Sequence, residues 1–63
     1  MNYKEKIKAR QRELRLSNEQ VAKRIGVSVS AYGHYKNGTR KPDMEKMKLI
    51  ALALGTSVED LFY

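Results

Sequence analysis

The sequence predicts an all-α fold: a compact five-helix bundle forming a single domain over residues 1–63. Three observations predict it. Apolar residues recur at spacings of three and four, and no strand-like alternation persists. Start signals at Ser17, Ser28, Asp43 and Ser57 alternate with glycine stops at Gly26, Gly38 and Gly55. Every connection is short, with no linker, repeat or low-complexity segment.

Taken in order, the first helix runs roughly from Asn2 to Arg15, with Tyr3, Ile7 and Leu14 on one stripe. The second is signalled by "LSNEQVAKRIG". Ser17 is the N-cap, Gln20 completes a capping box, and Leu16 and Val21 form a hydrophobic staple. Val21, Ala22 and Ile25 make its inward face, and Gly26 supplies a left-handed stop. Ser28 caps a third helix, where Val27 and Tyr32 repeat the staple spacing and Asn37-Gly38 ends the run. "TRKP" is a basic loop. Asp43 caps a fourth helix with Met44, Met47, Ile50, Ala51 and Leu54 as its inward stripe, and Gly55 stops it. Ser57 caps a last short helix through Leu61 and Phe62.

Composition bounds the chemistry. A chain of 63 residues buries only about 60% of its unfolded surface, so its core is economical. Without cysteine there is no disulfide or thiolate site, and one histidine with no carboxylate cluster offers little to a metal. No cofactor is therefore expected. No apolar run is long enough for a membrane span or a secretory signal, so the expectation is a soluble, cytoplasmic protein. An enzyme is not expected, because no carboxylate pair, nucleophile–base arrangement or phosphate-cradling glycine loop is visible. A small core also leaves little room for a small-molecule pocket.

Charge is more informative. The net charge is +6, and Lys4, Lys6, Lys8, Arg10, Arg12 and Arg15 crowd the first helix. Lys36, Arg40 and Lys41 form a second basic group, while Glu59 and Asp60 lie near the other end of the chain. A polarised basic surface points to a polyanion, most simply nucleic acid. A lysine-rich solvated surface would carry the same charge, and Lys4, Lys6 and Lys8 are read that way.

Helices two and three are separated only by Gly26, Val27 and Ser28. So tight a joint makes the axes cross steeply and admits only a small residue where they meet, which Ala22 provides. Val21, Ile25, Val27, Tyr32 and Tyr35 supply apolar groups from both sides. This is the helix-turn-helix pattern, over about residues 17–37, whose second helix enters the major groove. Tyr32 and Tyr35 facing inward leaves Val29, Ser30, Gly33 and His34 facing outward, one turn apart. Gly33 removes bulk where a groove wall would come closest, or is merely tolerated. His34 can donate to or accept from a base, or is an ordinary solvated side chain. Ser30 has the same chemistry over a shorter reach, and Val29 suits a thymine methyl.

Through "LSNEQVAKRIGVS", "YKNGTRKPD", "LIALALGTS" and "VEDLF", the chain resembles lambda-repressor-like, Cro/cI-type helix-turn-helix domains over nearly all its length. The resemblance implies a five-helix, double-stranded DNA-binding domain of a bacterial or phage transcriptional regulator, most simply a repressor, working as a homodimer on an inverted-repeat operator. It puts base reading on Val29, Ser30 and His34. It puts backbone contacts on Asn18, where relatives usually carry glutamine, and on Ser28, Asn37, Thr39, Arg40 and Lys41.

Two departures stand out. Val29 replaces a common glutamine. Gln11 and Lys36 occupy positions where relatives often pair arginine with glutamate, so Lys36 lacks a carboxylate and is expected to turn to DNA. The expected dimer seam is the C-terminal end, with Val58, Leu61, Phe62 and Tyr63 and a contribution from Leu52; the alternative is that Leu61 and Phe62 only cap the monomer's core. A rival function on the same basic face is an interaction module, such as an antitoxin-like partner covering an acidic protein.

Overall fold

Asn2, Ser17, Ser28, Asp43 and Ser57 each take extended backbone and turn a side-chain oxygen onto the amide three residues ahead, that of Glu5, Gln20, Ala31, Lys46 and Asp60 respectively. These caps open five helices: α1 (Tyr3–Glu13), α2 (Asn18–Ile25), α3 (Val29–Asn37), α4 (Met44–Ala53) and α5 (Val58–Phe62). A computed structural model describes residues 2–63. Among them every regular element is helical, as the sequence predicts. At Ser17 the capping box closes fully, because the Ser17 amide donates back to Gln20 Oε1 at 2.8 Å.

Three helix ends close alike. The amides of Leu16, Val27 and Thr56 donate to the carbonyls of Gln11, Ala22 and Ala51 at 3.1, 3.1 and 2.9 Å. This closure needs one left-handed residue. Gly26 and Gly55 supply it without steric cost, at φ 77° and 66°, whereas the α1 end uses Arg15 at φ 55°. The first helix therefore ends before Arg15, two residues short of the expected boundary.

Ile7, Val21, Ala22, Ile25, Tyr32, Tyr35, Ile50, Ala51, Leu54 and Leu61 form one core. Helix α2 packs on both α3 and α4, α1 on α3 and α5, and α4 on α5. The stripe expected on each helix is mostly inward, with two corrections. Leu14 is 38% exposed, because it lies beyond the last turn of α1. Met44 is 50% exposed while Met47 is buried, because Met44 opens α4 at the surface edge. Pro42, read only as part of a basic loop, is fully buried and anchors that loop.

Helix α4 has no basic residue in its last turn, yet its terminal carbonyls are not left bare. Arg10 Nε donates to Leu54 O at 2.8 Å and Arg10 Nη2 to Gly55 O at 3.3 Å. Arg24 Nη1 donates to Ala53 O at 3.2 Å. Guanidinium groups from α1 and α2 thus satisfy the negative end of α4 and tie three helices together. Arg10 and Arg24 therefore have a structural role in addition to their charge.

Candidate nucleic-acid interface

The α2–α3 joint sets the geometry. Gly26 turns left-handed, Val27 closes back on Ala22, and Ser28 at once caps α3. Ala22 is 1% exposed at the crossing, as its size requires. Tyr32 and Tyr35 lock the inner face of α3 into the core. Helical periodicity then turns Val29, Ser30 and His34 to the exterior, where all three are exposed, with Gly33 half-buried between them. A Cβ placed on Gly33 meets no atom within 4 Å, so nothing inside the monomer requires a glycine there.

His34 is held rather than free. Its Nδ1 lies 2.7 Å from Thr39 Oγ1, and the Thr39 hydroxyl is 3.3 Å from His34 O. The Arg40 amide donates to the same carbonyl at 3.2 Å. The ring is thereby oriented by the loop that follows α3, which leaves Nε2 as the nitrogen available to a ligand. Thr39, expected at the backbone, is engaged with His34. Asn37, Arg40 and Lys41 are exposed around the end of α3, and Ser28 is exposed at its start while its Oγ caps Ala31.

Asn18 and Lys36 meet each other. Lys36 Nζ donates to Asn18 Oδ1 at 2.9 Å, and Gln11 Nε2 donates to the same oxygen at 2.9 Å. Gln11 is 6% exposed and fully used: its other N–H reaches Leu16 O at 2.9 Å, and its Oε1 accepts from the Tyr32 hydroxyl at 2.7 Å. Lys36 therefore turns to Asn18, a neutral partner, rather than lying free toward solvent. Partial burial pushes its pKa below the ordinary lysine value, and the positive charges of Lys8 and Arg12 lower it further. Burial pushes the Tyr32 phenol up to about 12.

At the opposite end of the chain, Tyr63 is 76% and Leu52 77% exposed, while Val58 and Phe62 are half-buried. The Phe62 ring packs on Tyr3 with centroids 5.3 Å apart. Leu61, expected at the seam or else in the monomer's core, is 3% exposed and packs in that core. Val58 and Tyr63, with Lys6, Glu59 and Asp60, line a surface depression.

Sequence reasoning missed the joining role of Gln11 and the capping roles of Arg10 and Arg24. The first had a faint signal, since by resemblance Gln11 and Lys36 both depart from the pairing expected at their positions. The second had a clearer one in the absence of a cation at the end of α4. Among the described residues no group of histidine and carboxylate side chains is arranged to hold a metal, and no helix is long and apolar enough to cross a membrane.

A five-helix domain with a glycine-hinged α2–α3 joint and a polar outward α3 defines a helix-turn-helix protein. The chain belongs to the helix-turn-helix family, whose pattern it matches over residues 7–61. It is 33% identical over 61 residues to the cryptic phage CTXphi transcriptional repressor RstR of Vibrio cholerae, covering 97% of this chain and 54% of that protein. It is 30% identical over 57 residues to the uncharacterised HTH-type transcriptional regulator YobD of Bacillus subtilis, covering 90% of this chain and 51% of that protein. The chain thus spans about half the length of both relatives.

Proposed function

We propose that this chain is a sequence-specific double-stranded DNA-binding module of a transcriptional regulator, a repressor, acting in the cytoplasm where such DNA lies. It reads an inverted-repeat operator as a homodimer. The observation that carries this reading is the outward face of α3: Val29, Ser30 and an oriented His34, bordered by exposed Arg40 and Lys41. A helix of 9 residues is about 13 Å long at 1.5 Å per residue. It suits a major groove about 12 Å wide. Val29, Ser30 and His34 face base edges, while Ser28, Asn37, Arg40 and Lys41 face phosphates, which fix register without reading sequence. The likeness to a phage repressor supports the regulatory role.

A second copy is needed because one recognition helix reads too few base pairs to find a site in a genome. Exposed Tyr63 and Leu52, with half-buried Val58 and Phe62, supply apolar surface for that contact. Fluorescence anisotropy with duplex DNA tests the reading. Affinity is expected to fall by orders of magnitude between about 50 and 200 mM salt. Binding that prefers no sequence, or an acidic protein partner with no DNA affinity, contradicts it.

A further inference from the structure

Thr39 follows the left-handed Gly38, and the loop it opens is anchored by the fully buried Pro42. Its hydroxyl has one proton and two acceptors near it, both on His34: Nδ1 at 2.7 Å and the carbonyl oxygen at 3.3 Å. Hydroxyl-to-oxygen bonds extend only to about 3.0 Å, so the carbonyl is too far to hold that proton. The same carbonyl already accepts from the Arg40 amide at 3.2 Å. The Thr39 proton therefore goes to Nδ1. A separation of 2.7 Å suits a hydroxyl donor, whereas ring N–H donors usually stand off at about 2.9–3.0 Å. Acting as an acceptor, Nδ1 carries no hydrogen, so the single N–H of the neutral ring is on Nε2.

Nε2 has no hydrogen-bond partner among the described residues, and His34 is exposed on the outward face of α3. The loop thus fixes the chemistry of that face as well as the direction of the ring. In the major groove an N–H meets acceptors at guanine N7 and O6, adenine N7 and thymine O4, whereas cytosine presents only an amino donor. Guanine suits it best. Its two acceptors are adjacent, while adenine N7 stands beside an amino group that repels a second donor.

We propose that His34 determines specificity as a hydrogen-bond donor, giving its Nε2 proton to a purine N7, that of guanine for preference. Thr39 is the positioning residue that sets this tautomer. The proposal rests on the DNA-binding reading above and names the base edge that α3 selects.

Two measurements test it. Nitrogen NMR of His34 in the free protein, in mildly alkaline buffer, is expected to show the proton on Nε2 and a bare Nδ1. A ring protonated on Nδ1 overturns the proposal whether or not DNA binds. The second measurement is a scan of a bound duplex in which single purines have N7 replaced by carbon. One guanine per half-site is expected to be sensitive, its replacement weakening binding about fivefold, as loss of one hydrogen bond does. His34→Ala is expected to be insensitive to that replacement. Thr39→Val is expected to lose most of the sensitivity and Thr39→Ser to keep it, with thermal melting verifying that each variant folds. Should Thr39→Val not fold, Thr39→Ala replaces it. A folded Thr39→Val or Thr39→Ala that binds more weakly yet keeps full sensitivity makes Thr39 a backbone contact and overturns its positioning role. Specific binding with no His34-dependent sensitivity at any purine N7 overturns the donor role of His34 while leaving DNA binding intact. If the unaltered protein binds no duplex at all, the DNA-binding reading itself fails.

Discussion

The Tyr32 hydroxyl donates to Gln11 Oε1 across 2.7 Å, joining the third helix to the first inside the core. Both side chains are buried, Tyr32 completely. A buried hydrogen bond contributes modestly when made, but leaving its acceptor unpaired costs about 1–3 kcal/mol. Tyr32→Phe removes only the donor and keeps the ring. It is expected to destabilise the domain by that amount, measured by urea or thermal unfolding. Unchanged stability contradicts the importance of the bond.

The same phenol gives a pH dependence. Its folded pKa of about 12 lies above the ordinary tyrosine value of 10.0, because burial disfavours the phenolate. The raised value means the native state holds a proton that the unfolded chain gives up. The contribution is fully present below about pH 10 and is lost as pH rises toward 12, to the extent of about 2 kcal/mol. Unfolding measured at stepped pH is expected to show this decline in the unaltered protein and a shallower one in Tyr32→Phe. Equal slopes contradict it.

Arg15 sits in a left-handed conformation that side chains other than glycine disfavour. Its two counterparts, in the α2 and α4 closures, are glycines. Arg15→Gly is expected to stabilise the domain by about 1 kcal/mol through relief of that strain, less the added flexibility of the unfolded chain. A melting temperature equal to or below that of the unaltered protein counts against strain at this turn.

Gly33 separates stability from binding. Its added Cβ meets nothing in the monomer, so Gly33→Ala gains helix propensity of up to about 1 kcal/mol. If the groove wall comes close at this point, the more stable variant nevertheless binds DNA more weakly. Paired melting and anisotropy measurements decide it, and unchanged or tighter binding leaves Gly33 as a residue with no role in groove approach.

Most of the fold was legible because its signals are local. Ser17, Ser28, Asp43 and Ser57 cap helices, and Gly26, Gly38 and Gly55 end or follow them, through interactions within a few residues. Charge alone did not show which cations are free. Arg10 and Arg24 lie among exposed basic residues in sequence, yet partners 44 and 29 residues away claim them. Leu61 and Tyr63 are both apolar residues at the chain's end, and only packing separates the buried one from the exposed one. Asn18 was legible as a site residue by resemblance, but its orientation on α2 depends on Gln11 from α1 and on Lys36 and Tyr32 from α3.

The central claim is that the outward face of α3 reads base sequence, and the most direct measurement is selection of bound duplexes from a random pool. The unaltered protein and His34→Ala are carried through in parallel. The expected result is an enriched inverted repeat with half-site centres about 10 base pairs, one helical turn, apart. His34→Ala is expected to relax the preference at one base step per half-site, with an affinity loss of about 1–3 kcal/mol on the selected site. No enrichment over the starting pool, or the same enriched site with undiminished preference at every position for His34→Ala, would contradict it.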